Sequence, residues 1–171
     1  LHCDNIEYNP TKKEIRSAED LDDPQTQKLE ELVVAFVAME EGDDSSVAQN
    51  AISQIKNSME KICCKKLLLY PYAHLSSNLA KPSVAISLLK EMEYGASELE
   101  VSHSPFGWTK SYKLQVKGHP LAESSKVITK DSDSGDSGEI TSDALKGESK
   151  IRSYWKIMSP DGTLTNIADF N

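Results

Sequence analysis

The sequence predicts an α/β protein built on a mixed β-sheet packed with helices. Three observations predict this class: a long uninterrupted apolar segment, two stretches with helical apolar spacing, and one strand in which apolar and polar residues alternate. The uninterrupted segment is typical of a strand covered on both faces, and the alternation is typical of a half-exposed strand. Helices therefore pack on the sheet, while the strand order stays open.

The first half of the chain predicts two strands and a helix. Residues 1–8 look like the end of a strand, and residues 29–39 contain the apolar segment, VVAFVA preceded by a leucine. Residues 43–46 offer Asp and Ser side chains that can cap a helix N-terminus. The helix that follows has apolar residues at three- and four-residue spacing: Ala48, Ala51, Ile52, Ile55, Met59 and Ile62.

The second half predicts a strand, a helix and two further strands. Residues 66–72 (KLLLYPY) form a short apolar strand, and Pro82 suits the first turn of the next helix. The buried positions of that helix are Val84, Ala85, Leu88, Leu89 and Met92. Residues 98–103 are a weak strand, and residues 105–119 (PFGWTKSYKLQVKGH) predict a turn and then a strong strand.

The strong strand contains a lysine at an apolar position. Tyr112, Leu114 and Val116 share one face because side chains alternate along a strand, and Lys110 has the same parity. Its ammonium either points into a pocket at the mouth of the strand or extends to solvent along its own aliphatic stem.

The composition changes sharply after the strong strand. Residues 127–150 are rich in Ser, Gly and Asp and predict a flexible acidic linker, because they offer little apolar surface to bury. Residues 151–171 predict a hairpin around the turn SPDG, which is the incomplete start of a further domain. The domain that carries the sheet thus spans residues 1–126.

The net charge and the apolar content argue against two classes of protein, those that bind nucleic acid through their overall charge and those that span a membrane. The net charge of −8 argues against binding of nucleic acid by the overall field, although four lysines between residues 104 and 126 predict a locally basic face. The sequence has neither an apolar run long enough to cross a membrane nor a signal-peptide pattern, so we expect a cytoplasmic protein without membrane contact. Three cysteines, two of them adjacent, suit a reducing compartment.

Two places carry candidate chemistry. The first is the loop with His74 after the strand of residues 66–72, where open α/β sheets place ligand sites. The second is the strand with Lys110 and the segment KGHPLAE that ends at Glu123. These three residues suit general acid/base chemistry if they converge, whereas separately they are a solvated histidine, an extended lysine and a surface carboxylate. No metal-ligand spacing, glycine-rich phosphate loop or GxSxG motif is present, so we expect no metal and no cofactor.

Two long motifs resemble a known family. YPYAHLSSNLAKPSVA (residues 70–85) and SPFGWTKSYKLQVKGHPLAE (residues 104–123) are similar to the two signature segments of the N-terminal editing domain of archaeal threonyl-tRNA synthetases. HCDNIEY and EELVVAFVAMEE resemble its first two strands, so the resemblance covers residues 1–126. SYWKIMSPDGTL resembles the passage into the next synthetase domain.

The resemblance implies a fold like that of D-aminoacyl-tRNA deacylases and the hydrolysis of serine wrongly esterified to threonine tRNA. The partners would be the 3′ end of seryl-tRNA(Thr) and the rest of the synthetase chain, and a homodimer stays open. The implied catalytic residues are Lys110, His74 and Glu123, and the implied substrate-binding residues are Ala73, Met39, Phe106, Trp108 and Tyr72. Thr109 departs from the family pattern, because an aromatic residue with a hydroxyl is expected there.

The implied roles define a hypothesis with two alternatives. Lys110 orients or activates the water and stabilises charge, His74 holds the substrate or its ribose, and Glu123 pairs with Lys110. The alternatives are a module that binds the tRNA acceptor end without chemistry, and a D-aminoacyl-tRNA deacylase.

Overall fold

The computed structural model describes residues 1–130 and 156–166, which fall into two compact units. The first unit contains β1 (His2–Lys13), β2 (Gln27–Val37), α1 (Ser45–Lys61), β3 (Lys66–Pro71), a 3₁₀ helix (Ala73–Leu75), α2 (Pro82–Gly95), β4 (Glu100–His103) and β5 (Trp108–Val116). The second unit is a hairpin of β6 (Lys156–Met158) and β7 (Leu164–Asn166). The hairpin prediction is confirmed, while most of the predicted linker, residues 131–150, lies outside the described residues.

The five strands of the first unit form one sheet in the order β4-β3-β2-β1-β5. β2, β3 and β4 run parallel, whereas β1 is antiparallel to both of its neighbours. Parallel neighbours need long crossover connections, and α1 and α2 supply them between β2 and β3 and between β3 and β4. The predicted mixed α/β sheet packed with helices is confirmed.

Apolar residues of β2 pack into a core on each face of the sheet. Val33, Ala35 and Val37 pack against the helices, in a core that includes Leu67 and Leu69 of β3. The alternate residues of β2 and β3 pack in a second core on the opposite face, formed by Leu32, Val34, Phe36, Leu68 and Tyr70 together with residues of β1 and β5. This alternation explains why β2 reads as a continuous apolar run.

The predicted helix signals act as expected. The Asp44 side chain accepts hydrogen bonds from the backbone N–H groups of Ser46 and Val47 and so caps α1. Pro82 occupies the first turn of α2, where a missing N–H costs nothing. Among the helices in the described part of the chain, none is long and apolar enough to cross a membrane.

β5 is an edge strand of the sheet, and its apolar face is only partly covered. Tyr112 is 41% exposed, and Leu114 and Val116 are only half-buried, because an edge strand has one neighbour to cover it. The predicted basic face is also weakened by ion pairs. Lys113 pairs with Glu7, and Lys117 pairs with two further carboxylates of β1 and β2.

Candidate active site

A cavity of about 520 Å³ opens at the carboxyl ends of β2 and β3. Its walls are the ends of these two strands, the 3₁₀ helix, the first turn of α2, and the turn of residues 105–108 that leads into β5. Ligand sites of open α/β sheets lie at this end of the strands, because the chain leaves the sheet there and its loops are free to carry polar groups. The volume suits a small-molecule ligand or the end of a larger one.

Seven of the eight residues proposed from the sequence line this single cavity: Met39, Tyr72, Ala73, His74, Phe106, Trp108 and Lys110. Backbone bonds bring their elements together. The Tyr72 N–H donates to the Val37 carbonyl across the β2–β3 boundary, and the Ala80 N–H donates to the Met39 carbonyl. The two long sequence motifs therefore meet at one site.

Lys110 is half-buried in the cavity wall. Its Nζ donates to the carbonyl oxygens of Pro105 at 2.7 Å and Trp108 at 3.2 Å. The ammonium also lies 4.9 Å from the centroid of the Tyr70 ring, a distance that suits a cation–π contact. Burial lowers the pKa of Lys110 to about 8, although the nearby carboxylate of Glu19 opposes this shift. The parity of the strand therefore directs a cation into the cavity, which is the first of the two alternatives that the sequence left open.

A series of aromatic side chains leads from the cation to the cavity rim. The Tyr70 ring is buried, and burial raises the pKa of its phenol, so the group stays neutral at physiological pH. Tyr72 lies between Tyr70 and His74, with its ring centroid 5.3 Å from that of His74. His74 itself is exposed at the rim, where a bound ligand can reach it.

Glu123 does not reach Lys110. Lys110 lies beside Pro10 in the β1–β5 register, whereas the Ala122 carbonyl next to Glu123 accepts a bond from His2 at the opposite end of β1. Eight residues of strand separate these two ends, which corresponds to roughly 26 Å. The expected pairing of Glu123 with Lys110 is therefore not formed within the chain, and Glu123 is not part of the cavity lining.

Comparison with known proteins identifies the domain. Residues 1–128 match the model of a family described as the archaea-specific editing domain of threonyl-tRNA synthetase. The chain belongs to this family. Over its whole length the chain is 81% identical to a threonine–tRNA ligase of Nitrosopumilus maritimus, 52% to one of Cenarchaeum symbiosum and 38% to one of Methanosarcina acetivorans. It spans 27–29% of the length of these relatives.

Thr109 of this editing domain places a hydroxyl at the cavity wall. Thr109 Oγ1 donates to Glu14 Oε1 at 2.8 Å, and both residues line the cavity. This hydrogen bond is the main reason that the pKa of the Glu14 carboxyl lies below its ordinary value. The position where the resemblance led us to expect an aromatic residue thus carries a hydroxyl bonded to an ionised carboxylate.

Three residues near Lys110 were not identified from the sequence, namely Glu14, Glu19 and Gly107. Gly107 has a φ of +76°, and an added Cβ would lie 2.7 Å from the Cβ of Ala18. The glycine between two aromatic residues in PFGW was a signal for such a close approach. Glu14 and Glu19 occur in a polar stretch without periodicity, which offered no comparable signal.

Proposed function

We propose that this editing domain hydrolyses the ester between serine and the terminal ribose of threonine tRNA, and so releases serine from the mischarged tRNA. The observation that supports this function best is the half-buried ammonium of Lys110 inside a cavity lined by both family motifs. The cavity is larger than an amino acid requires and also has room for part of the terminal nucleoside.

The chemistry of threonine selection explains the need for a second site. Serine lacks one methyl group of threonine, and a pocket gains only about 1–3 kcal/mol from a methylene. Binding in a synthetic site alone therefore rejects serine poorly. A hydrolytic site that acts on the finished ester can remove the error after it has occurred.

Lys110 is suited to stabilise charge during ester hydrolysis. Lysine has three N–H donors, and carbonyl oxygens of Pro105 and Trp108 accept from Nζ. These two acceptors fix the ammonium and leave one donor for the substrate. A donor already oriented towards a developing oxyanion loses little energy to reorganisation during the reaction.

The proposed reaction needs a water molecule and forms no covalent bond between substrate and protein. The water oxygen attacks the ester carbonyl carbon, and the negative charge that develops on the carbonyl oxygen faces Lys110. The bond from carbon to the ribose oxygen then breaks, and the proton lost by water goes to that oxygen. The neighbouring ribose hydroxyl assists this transfer, and His74 at the rim holds the ribose.

Deacylation assays test the proposal directly. We expect the 171-residue chain to release serine from seryl-tRNA(Thr) faster than buffer does, and to release threonine from threonyl-tRNA(Thr) more slowly than serine. Serine release at the buffer rate with tRNA binding retained would instead support an acceptor-end binding module. Faster release of D-amino acids than of L-serine would support a D-aminoacyl-tRNA deacylase.

The pH dependence of the rate follows from the lowered pKa of Lys110. The pKa is about 8, so the ammonium loses its positive charge as the pH rises through 8. We expect serine release above the buffer background to fall about 10-fold between pH 7 and pH 9, because the charged form carries the rate. A rate profile of the background-corrected reaction checks this. A rise through pH 8 would contradict the charged role and indicate that the neutral amine acts as a base.

A further inference from the structure

Carbonyl groups in the turn of residues 105–108 hold Lys110, and Glu19 anchors this turn. The carbonyls of Pro105 and Trp108 accept from the lysine, as described above. The Phe106 N–H between them donates to Glu19 Oε1 at 3.0 Å, and the Glu19 N–H donates to the Phe106 carbonyl at 3.2 Å. The Trp108 indole N–H donates to the Glu19 carbonyl at 2.8 Å. Glu19 thus anchors the turn through its side chain and its backbone.

The second carboxylate oxygen of Glu19 is fixed by a histidine. His103 Nε2 lies 3.2 Å from Glu19 Oε2, and His103 Nδ1 lies 3.1 Å from both carboxylate oxygens of Glu93 in α2. Burial lowers the pKa of His103, but the hydrogen bonds and charges of Glu93 and Glu19 outweigh burial and raise it above the ordinary value. A protonated imidazole donates from both nitrogens and so fixes both carboxylates.

We infer that Glu19 is a positioning residue for Lys110, because its carboxylate and its backbone anchor the turn whose carbonyls hold the ammonium. The role in catalysis rests on the proposed function, whereas the placement of the ammonium does not. The other titratable groups around the cavity are Tyr70, Tyr72, Glu14 and His74, and the carboxylate that acts on the pKa of Lys110 is Glu19.

Glu93 supplies a matched control for a purely structural role. Both glutamates bind His103, and both have about a third of their side-chain surface exposed. Glu19 alone of the two bonds to Phe106 and acts on the pKa of Lys110. If Glu19 only stabilises the fold through His103, then Glu19→Gln and Glu93→Gln should have the same consequences.

The decisive measurement is the pKa of Lys110 by NMR titration of the chain with ¹³C-labelled lysine side chains, with Lys110→Met to identify the resonance. We expect Glu19→Gln to lower this pKa by on the order of half a pH unit, because a negative charge near the ammonium is removed. The falling limb of the deacylation profile should move to lower pH by the same amount. Glu93→Gln should leave the pKa and the limb unchanged.

The outcomes separate this inference from the proposed function. An unchanged pKa of Lys110 in Glu19→Gln, or an equal shift in Glu93→Gln, overturns the inference whether or not the chain hydrolyses seryl-tRNA. Absence of hydrolysis with the expected pKa shift overturns the proposed function alone. If Glu19→Gln does not fold, Glu19→Asp keeps the charge but shortens the reach to Phe106. We then expect kcat for serine release to fall several-fold with Glu19→Asp and to stay unchanged with Glu93→Asp; equal effects overturn the inference.

Discussion

Replacing Lys110 by methionine should reduce the rate of serine release from seryl-tRNA(Thr) by about 100-fold or more. Methionine keeps much of the aliphatic stem that packs in the cavity wall, but it removes the ammonium that the carbonyls of Pro105 and Trp108 hold in place. Loss of one preorganised donor to an oxyanion typically costs 10²–10³ in rate. The ribose hydroxyl of the tRNA continues to assist, so a residual rate should remain. Single-turnover deacylation measures the loss.

Lys113→Met is the matched control for this experiment. Lys113 lies three residues further along β5, but its parity is opposite, and its side chain is 83% exposed in an ion pair with Glu7. Its removal takes the same charge from the same strand without touching the cavity. Serine release should therefore fall no more than two-fold in this variant. Equal losses in the two variants would mean that the lysines act through general attraction of tRNA, and would remove Lys110 from the chemistry.

Lys110 was identified as a candidate because it occupies an apolar position in an alternating strand. An ammonium on the apolar face of an alternating strand is unfavourable unless polar groups bind it, so Lys110 required a polar site nearby. The structure provides one, in the carbonyl oxygens of the turn that precedes the strand. His74 was predicted by a second general rule, that loops after parallel strands carry ligand sites. Local pattern, which a sequence displays directly, marked both residues as candidates, whereas their catalytic roles were implied by the resemblance to the family.

Glu123 and Glu19 show that local sequence pattern does not predict contacts between distant parts of the chain. The pairing of Glu123 with Lys110 required β5 to turn back on itself, whereas β5 continues along the whole of β1 and carries Glu123 to the other end of the sheet. Strand register decides this, and register follows from pairing across long separations in sequence. Glu19 acts on a turn 87 residues away. A glutamate in a polar loop has no signal that distinguishes it from a solvated one.

Replacing Gly107 by alanine should destabilise the editing domain by about 2–5 kcal/mol. The positive φ of Gly107 disfavours any Cβ by roughly 1–2 kcal/mol. The added methyl would also lie 2.8 Å from Ile15 Cγ1 and 2.9 Å from the Ala18 backbone, and overpacking of this kind costs about 1–3 kcal/mol. The clash would push the turn that holds Lys110 away from residues 15–18. The rate of serine release per folded molecule should therefore fall as well. Chemical denaturation measures the free energy of unfolding.

Two other glycines allow the backbone strain and the steric clash at Gly107 to be measured separately. Gly42 has a φ of +94° but no atom within 4 Å of an added Cβ, so Gly42→Ala carries the backbone strain without the clash. Gly118 has neither feature, and Gly118→Ala should change the free energy of unfolding by less than about 0.5 kcal/mol. The difference between Gly107→Ala and Gly42→Ala isolates the contact between the turn and residues 15–18. If the two losses are equal, that contact does not hold the turn, and the close approach at Gly107 has no part in placing the carbonyls around Lys110.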